Sequence, residues 1–178
     1  GRPTQAVFED PRLSVPISFA VSPDVLKYDG PSADDAYFDQ TAFRLWPLSL
    51  TLCRWLCAHP EIVRGKRVVE LGAGFGALGL VCAALGAARV VLTDMPDALP
   101  LLEAVAAANP QLAVAVAPCT WGVDADVRRL VADGGRFDVV LAADVVYKQA
   151  ASVQESLAAT QAALLAETGE AIVGYEFR

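Results

Sequence analysis

The chain reads as a doubly wound α/β domain, a mostly parallel Rossmann-like sheet with helices on both faces. Three observations carry that reading. From about residue 45 onward, short apolar runs of strand length alternate with longer segments of helical periodicity. One run, Arg67 to Leu71, opens into glycines at 72, 74 and 76 ahead of an apolar helix, as expected where the backbone leaves a buried strand, turns tightly and approaches a ligand. A carboxylate, Asp94, closes the next apolar run twenty residues after Gly74.

Two regions follow. Residues 1–45 form an N-terminal extension rich in Pro and Asp, in which Val15 to Val21 and Val25 to Tyr28 are expected to pair as a hairpin. Asp29, Asp34, Asp35 and Asp39 then make an acidic, solvated loop. Residues 46–178 carry the sheet. Leu45-Trp46-Pro47 opens a helix with Pro47 in its first turn and Leu48, Leu52, Trp55 and Leu56 on one face, ending by His59-Pro60. The sole histidine, at a helix end beside proline and without a partner nucleophile, reads as structural.

Val68, Val69 and Leu71 belong to the first strand, and Ala77 to Leu85 is its crossover helix, stopped by Gly86. Arg89 to Asp94 is the second strand, Asp97 to Asn109 a helix, and Leu112 to Val116 the third strand. Asp124 to Ala132 is a short helix and Phe137 to Ala143 the fourth strand. Gln149 to Glu167 is a long helix, and Ala171 to Tyr175 the fifth strand. Strands alternating with helices imply right-handed βαβ units.

Bulk properties narrow the function. The chain has 178 residues, 54% of them hydrophobic, with a mean hydropathy of +0.40, which fits one folded domain. No apolar run reaches the ~18 residues that span a bilayer, and no leader precedes a cleavage site, so no membrane partner is expected. Cys53, Cys57, Cys82 and Cys119 form no Cys-x-x-Cys pair, which points to buried thiols in a reducing compartment and to no metal. A net charge of −7 and a pI near 4.6 argue against a broad nucleic-acid surface. A cytoplasmic, monomeric protein is expected, with the nucleus as a second compartment.

In a doubly wound sheet the ligand sits beyond the carboxyl ends of the strands, beside the first strand. Glu70 ends the first strand, Asp94 the second, and Asp144 with Tyr147 follow the fourth. A carboxylate at Asp94 can accept hydrogen bonds from both hydroxyls of a ribose, so the edge reads as a nucleoside site. Gly74-Phe75-Gly76-Ala77-Leu78-Gly79 matches the dinucleotide fingerprint G-x-G-x-x-G. A site for pyrophosphate gains nothing from Glu70, however, whereas the sulfonium and α-amino group of S-adenosylmethionine suit an acidic site. Glu70 favours the methyl donor over the dinucleotide.

Val69-Glu70-Leu71-Gly72-Ala73-Gly74 with Gly76, then Leu92-Thr93-Asp94, Trp121-Gly122 and Ala143-Asp144-Val145-Val146-Tyr147, resemble the seven-β-strand protein-lysine methyltransferases of methyltransferase family 16. The resemblance runs from about Trp46 to Tyr175. It implies S-adenosyl-L-methionine as cofactor and a protein lysine as methyl acceptor. It also implies that Glu70, Gly72, Gly74 and Gly76 line the methionine end, that Asp94 binds the ribose and that Trp121 lies against the adenine. Trp46 and Ala143 would complete the cofactor pocket, and Asp144 and Tyr147 would face the target amine.

Two departures stand out. Position 75 is Phe where the family more often has a small residue, which predicts a crowded methionine end or a shifted loop. The chain ends straight after the fifth strand, so the family's C-terminal β-hairpin is expected to be missing. The alternatives to protein-lysine methylation are small-molecule methylation on the same fold, a catalytically silent binding module and, disfavoured by Glu70, a dinucleotide oxidoreductase. Val145-Val146 stands where base-amine methyltransferases carry two prolines, which argues with the acidic pI against nucleic acid as substrate.

Overall fold

The computed structural model describes residues 7–19, 45–132, 134–146 and 150–175. An antiparallel ribbon of β1 (Val7–Phe8) and β2 (Ile17–Ser18) precedes α1 (Pro47–Ala58). Then come β3 (Arg67–Leu71), α2 (Ala77–Ala84), β4 (Arg89–Asp94), α3 (Leu99–Ala107) and β5 (Ala115–Pro118). The order closes with α4 (Asp124–Ala132), β6 (Phe137–Ala143), α5 (Ala151–Leu164) and β7 (Leu165–Gly174).

The five long strands form one parallel sheet in the order β5-β4-β3-β6-β7. The order reverses direction at β3, which lies between β4 and β6, so the crevice for a ligand opens at the carboxyl end of β3. Valine-rich strands buried on both faces supply two cores by simple alternation. Val68, Val90, Leu92, Val139 and Leu141 point toward α1, α2 and α3. Val69, Leu71, Val91, Val140 and Ala142 point toward α4 and α5. Phe8, Ile17 and Phe19 of the ribbon belong to the first core, so this part of the N-terminal extension is packed onto the sheet domain. No described helix is long and apolar enough to cross a membrane.

Several boundaries differ from expectation. Ile17–Ser18 pairs with Val7–Phe8, whereas the expected partner Val25 to Tyr28 and the acidic run from Asp29 to Asp39 lie outside the described residues. The third strand starts at Ala115, because Leu112 closes a turn through its N–H to the Asn109 carbonyl (2.9 Å). The helix expected from Asp97 begins as a 3-10 turn at Pro96–Ala98 and becomes α-helical at Leu99.

The long helix stops at Leu164 and β7 begins immediately, six residues earlier than expected. Register explains the error. Phe137 pairs with Leu165 but Val139 pairs with Glu170, so residues 166–169 bulge opposite Asp138 alone. A Cβ on Gly169 would lie 3.0 Å from the carbonyl oxygens of both Phe137 and Asp138, so any larger residue would push the bulge out of place.

Candidate active site

Gly72, Gly74 and Gly76 all adopt left-handed backbone, at φ of 61°, 52° and 64°. Side-chain-bearing residues reach this region only at a cost of about 1–2 kcal/mol each. Space is a second constraint. A Cβ on Gly72 would stand 2.7 Å from Val145 Cγ1 and 3.3 Å from the Trp121 ring, and one on Gly76 would stand 2.8 Å from Leu92 Cδ1.

Two carboxylates hold this loop, Glu70 buried and Asp94 half-buried. Asp94 Oδ2 accepts the Gly74 N–H at 2.8 Å and its Oδ1 accepts the Met95 N–H at 2.7 Å. The twenty-residue spacing between Gly74 and Asp94 therefore serves the loop itself. Burial pushes the Asp94 pKa up, and the two N–H groups partly offset that. Glu70 is 2% exposed, and its Oε2 accepts the Gly79 N–H at 2.8 Å in the first turn of α2. Burial pushes its pKa up to about 8 against the pull of the Gly79 and Leu78 N–H groups, and the Asp94 charge adds to the rise. Glu70 thus stands behind the glycine loop, its carboxylate turned to the positive end of α2.

The wall beyond β5 is equally fixed. The Cys119 N–H donates to the Asp94 carbonyl (2.8 Å) and the Thr120 N–H to Asp126 Oδ2 (2.8 Å). The Gly122 N–H donates to Thr160 Oγ1 (2.9 Å), whose hydroxyl donates to the Ser156 carbonyl (2.8 Å). Trp121, half-buried between these anchors, faces Gly72. Sequence reading missed Asp126, Val145 and Thr160. Asp126 left a signal as an acid in the first turn of a helix, and Val145 stood in the motif after the fourth strand without a packing role.

At the end of β6, half-buried Ala143 is followed by Asp144, which has φ of 55°, the one positive value among described non-glycine residues. The Asp144 N–H donates to the Gly174 carbonyl at 3.0 Å, so β7 pins the residue in this conformation. The N-cap of α5 is Ala150, so Asp144 is not that helix's cap. Tyr147 lies outside the described residues.

Trp46 occupies the extended residue before α1, half-buried, its carbonyl accepting the Ser49 N–H (3.1 Å). Leu48, two residues on, lies 3.4 Å from where a Gly174 Cβ would stand, so this end of α1 sits over the carboxyl edge of the sheet.

Phe75 corrects an expectation. Its ring is 9% exposed and packs edge-on against Phe19, with centroids 6.3 Å apart and planes at 87°. It fills the first core and does not crowd the concave side of the loop. His59 is structural: its Nδ1 lies 2.9 Å from the Trp55 carbonyl and its ring packs on Trp55. The four cysteines are buried and unpaired, and burial raises Cys119 to about 11. No group of three metal-ligating side chains occurs among the described residues.

The profile of the lysine methyltransferase family matches residues 32–178. The chain belongs to that family. Protein N-lysine methyltransferase METTL21A of Danio rerio is 42% identical over 107 residues, covering 58% of this chain and 47% of the relative. Protein N-terminal and lysine N-methyltransferase EFM7 of Candida glabrata is 32% identical over 136 residues, covering 72% of this chain and 52% of the relative. The chain thus spans about half the length of the curated relatives it matches. Among solved structures, the 16S rRNA methyltransferase RsmC of T. thermophilus, in complex with AdoMet and guanosine, superposes with a TM-score of 0.61 at 25% identity. That match covers 95% of this chain and 41% of RsmC.

The residues present fit the family's cofactor. Three left-handed glycines expose backbone where any Cβ would carry a conformational cost. Each Asp94 oxygen has accepted one N–H and keeps lone-pair capacity for a ribose hydroxyl. The Trp121 ring supplies a flat apolar wall beside Gly72.

Proposed function

We propose that this domain binds S-adenosylmethionine at the carboxyl ends of β3, β4 and β5 and transfers its methyl group to a lysine amine of a protein substrate. The cofactor supplies an electrophilic methyl on a sulfonium. Asp94 holds the ribose, the Gly72–Gly76 backbone receives the methionine end and Trp121 flanks the adenine.

One observation carries the catalytic part of the reading. Asp144 is held in a left-handed conformation at the end of β6, one residue before Val145, which packs against Gly72. Backbone strain kept in place by a neighbouring strand is a mark of functional positions. Less than about 0.1% of a free lysine amine is neutral at pH 7. A carboxylate beside the amine favours its charged form, so Asp144 serves to orient the amine and not to deprotonate it, while proximity and exclusion of water do the remaining work. A protein acceptor is supported by the relatives, named as methyltransferases of protein lysines. The buried, unpaired thiols support a reducing, cytoplasmic setting.

The test is calorimetric titration with S-adenosylhomocysteine, together with transfer of tritiated methyl into protein. Asp94→Ala is expected to abolish binding, since each charge-assisted hydrogen bond is worth about 1.5–3 kcal/mol. Equal affinity in wild type and Asp94→Ala would remove the ribose assignment. Label entering only small molecules would move the acceptor class.

A further inference from the structure

The N-terminal ribbon ends on the cofactor loop. Phe19, one residue past β2, is 2% exposed, and its ring is the edge-on partner of Phe75. Phe75 is flanked on both sides by left-handed glycines. Such a segment has little stiffness of its own, because glycine moves between φ regions at small cost. A large ring at position 75 steadies the loop only if something holds the ring.

The ribbon is built to hold it. Asn109, fully buried, accepts the Ser18 N–H at 2.8 Å and donates through Nδ2 to the carbonyls of Ser18 (2.7 Å) and Val105 (2.8 Å). The Ser14 hydroxyl donates to the Ala84 carbonyl at the end of α2 (3.1 Å). The ribbon is thus fastened to α2 and α3, and it presents Phe19 to the loop. On the other side, Asp94 holds the Gly74 N–H.

We propose that Phe19 is a positioning residue for the cofactor site: by clamping the Phe75 ring it fixes the Gly74–Gly76 backbone in the form that receives the cofactor. The proposal rests on the S-adenosylmethionine reading above. It makes the ribbon part of the binding machinery, and it gives Phe75, where this chain departs from the family, a partner on the same chain.

The experiment is a double-mutant cycle of Phe19→Ala and Phe75→Ala, read both as Kd for S-adenosylhomocysteine by calorimetry and as Tm. Each single variant raises Kd about tenfold, the scale of a lost aromatic pair. The double variant is no weaker than the worse single. Leu164→Ala, fully buried in the second core, gives a comparable fall in Tm with Kd within about twofold of wild type. Phe19→Leu keeps apolar volume and provides a folded variant if Phe19→Ala does not fold, with Kd again raised.

Kd unchanged in Phe19→Ala or Phe19→Leu despite a lowered Tm overturns the proposal, as do two single effects that multiply in the double variant. Wild type that binds no S-adenosylhomocysteine overturns the cofactor reading itself, and the proposal falls with it.

Discussion

Glu70→Gln should remove a pH dependence of stability that the wild-type protein carries. The carboxyl is buried beneath the glycine loop, and burial lifts its pKa from the ordinary 4.5 to about 8. The folded state therefore binds a proton that the unfolded chain has released throughout that interval, so stability is fully present below the lower value and falls as pH rises to the upper one. At about 1.4 kcal/mol per pH unit, the interval from 4.5 to about 8 amounts to roughly 5 kcal/mol. Glutamine resembles the protonated acid and keeps an acceptor for the Gly79 N–H, but adds a buried donor that costs about 1–3 kcal/mol if unpaired. The prediction accordingly concerns slope. Urea unfolding between pH 5 and 8 should show wild-type stability declining by about 1.4 kcal/mol per pH unit relative to Glu70→Gln. Asp10, Asp126 and Asp138, whose hydrogen bonds hold their pKa values below the ordinary 3.8, titrate beneath this window and are common to both proteins. Parallel curves would show that Glu70 is ionised in the folded state and would refute the reasoning.

Gly72→Ala should lower stability by about 2–4 kcal/mol, because it combines left-handed strain with a Cβ 2.7 Å from Val145 Cγ1. Gly65→Ala, with φ of 71° and nothing within 4 Å of the added carbon, should show the conformational cost alone, about 1 kcal/mol by thermal unfolding. Equal effects would mean that crowding at Gly72 relaxes freely. Asp144→Gly should be about 1 kcal/mol more stable than Asp144→Ala, since only glycine accepts φ of 55° without strain. Both should lose methyl transfer per folded molecule while S-adenosylhomocysteine affinity stays within about twofold, and full specific activity in either would remove Asp144 from the site.

The fold was legible because its signals are local. Alternating valine runs and Ala/Leu helices specify a parallel sheet, and Asp124–Ala132 and Phe137–Ala143 match their expected bounds. What stayed hidden depends on partners distant in sequence. Leu-Ala-Glu at 165–167 continues a helical pattern, and only the pairing of Phe137 with Leu165 and of Val139 with Glu170 turns it into a bulged strand. Asp94 was legible as a ligand-edge acid, but not as the acceptor for Gly74. Phe75 showed its bulk in the sequence but not its direction, which is set by Phe19, distant in the chain.

The same geometry decides which substitutions can separate binding from folding. Glu70, Asp94 and Phe75 fasten the loop to α2, β4 and the ribbon, through groups that are buried (Glu70, Phe75) or half-buried (Asp94) in the fold. Changing any of them alters loop geometry and global stability together, so a loss of cofactor affinity there must be read beside a melting curve. Asp144 and Trp121 are different, being half-buried on the rim of the crevice with neighbouring backbone anchored by Gly174 and by Thr160. Side-chain truncation at those two positions leaves the anchoring hydrogen bonds in place, since both are made through main-chain N–H groups. Trp121→Ala should therefore weaken cofactor binding, and Asp144→Ala methyl transfer, with the sheet and its glycine loop still assembled.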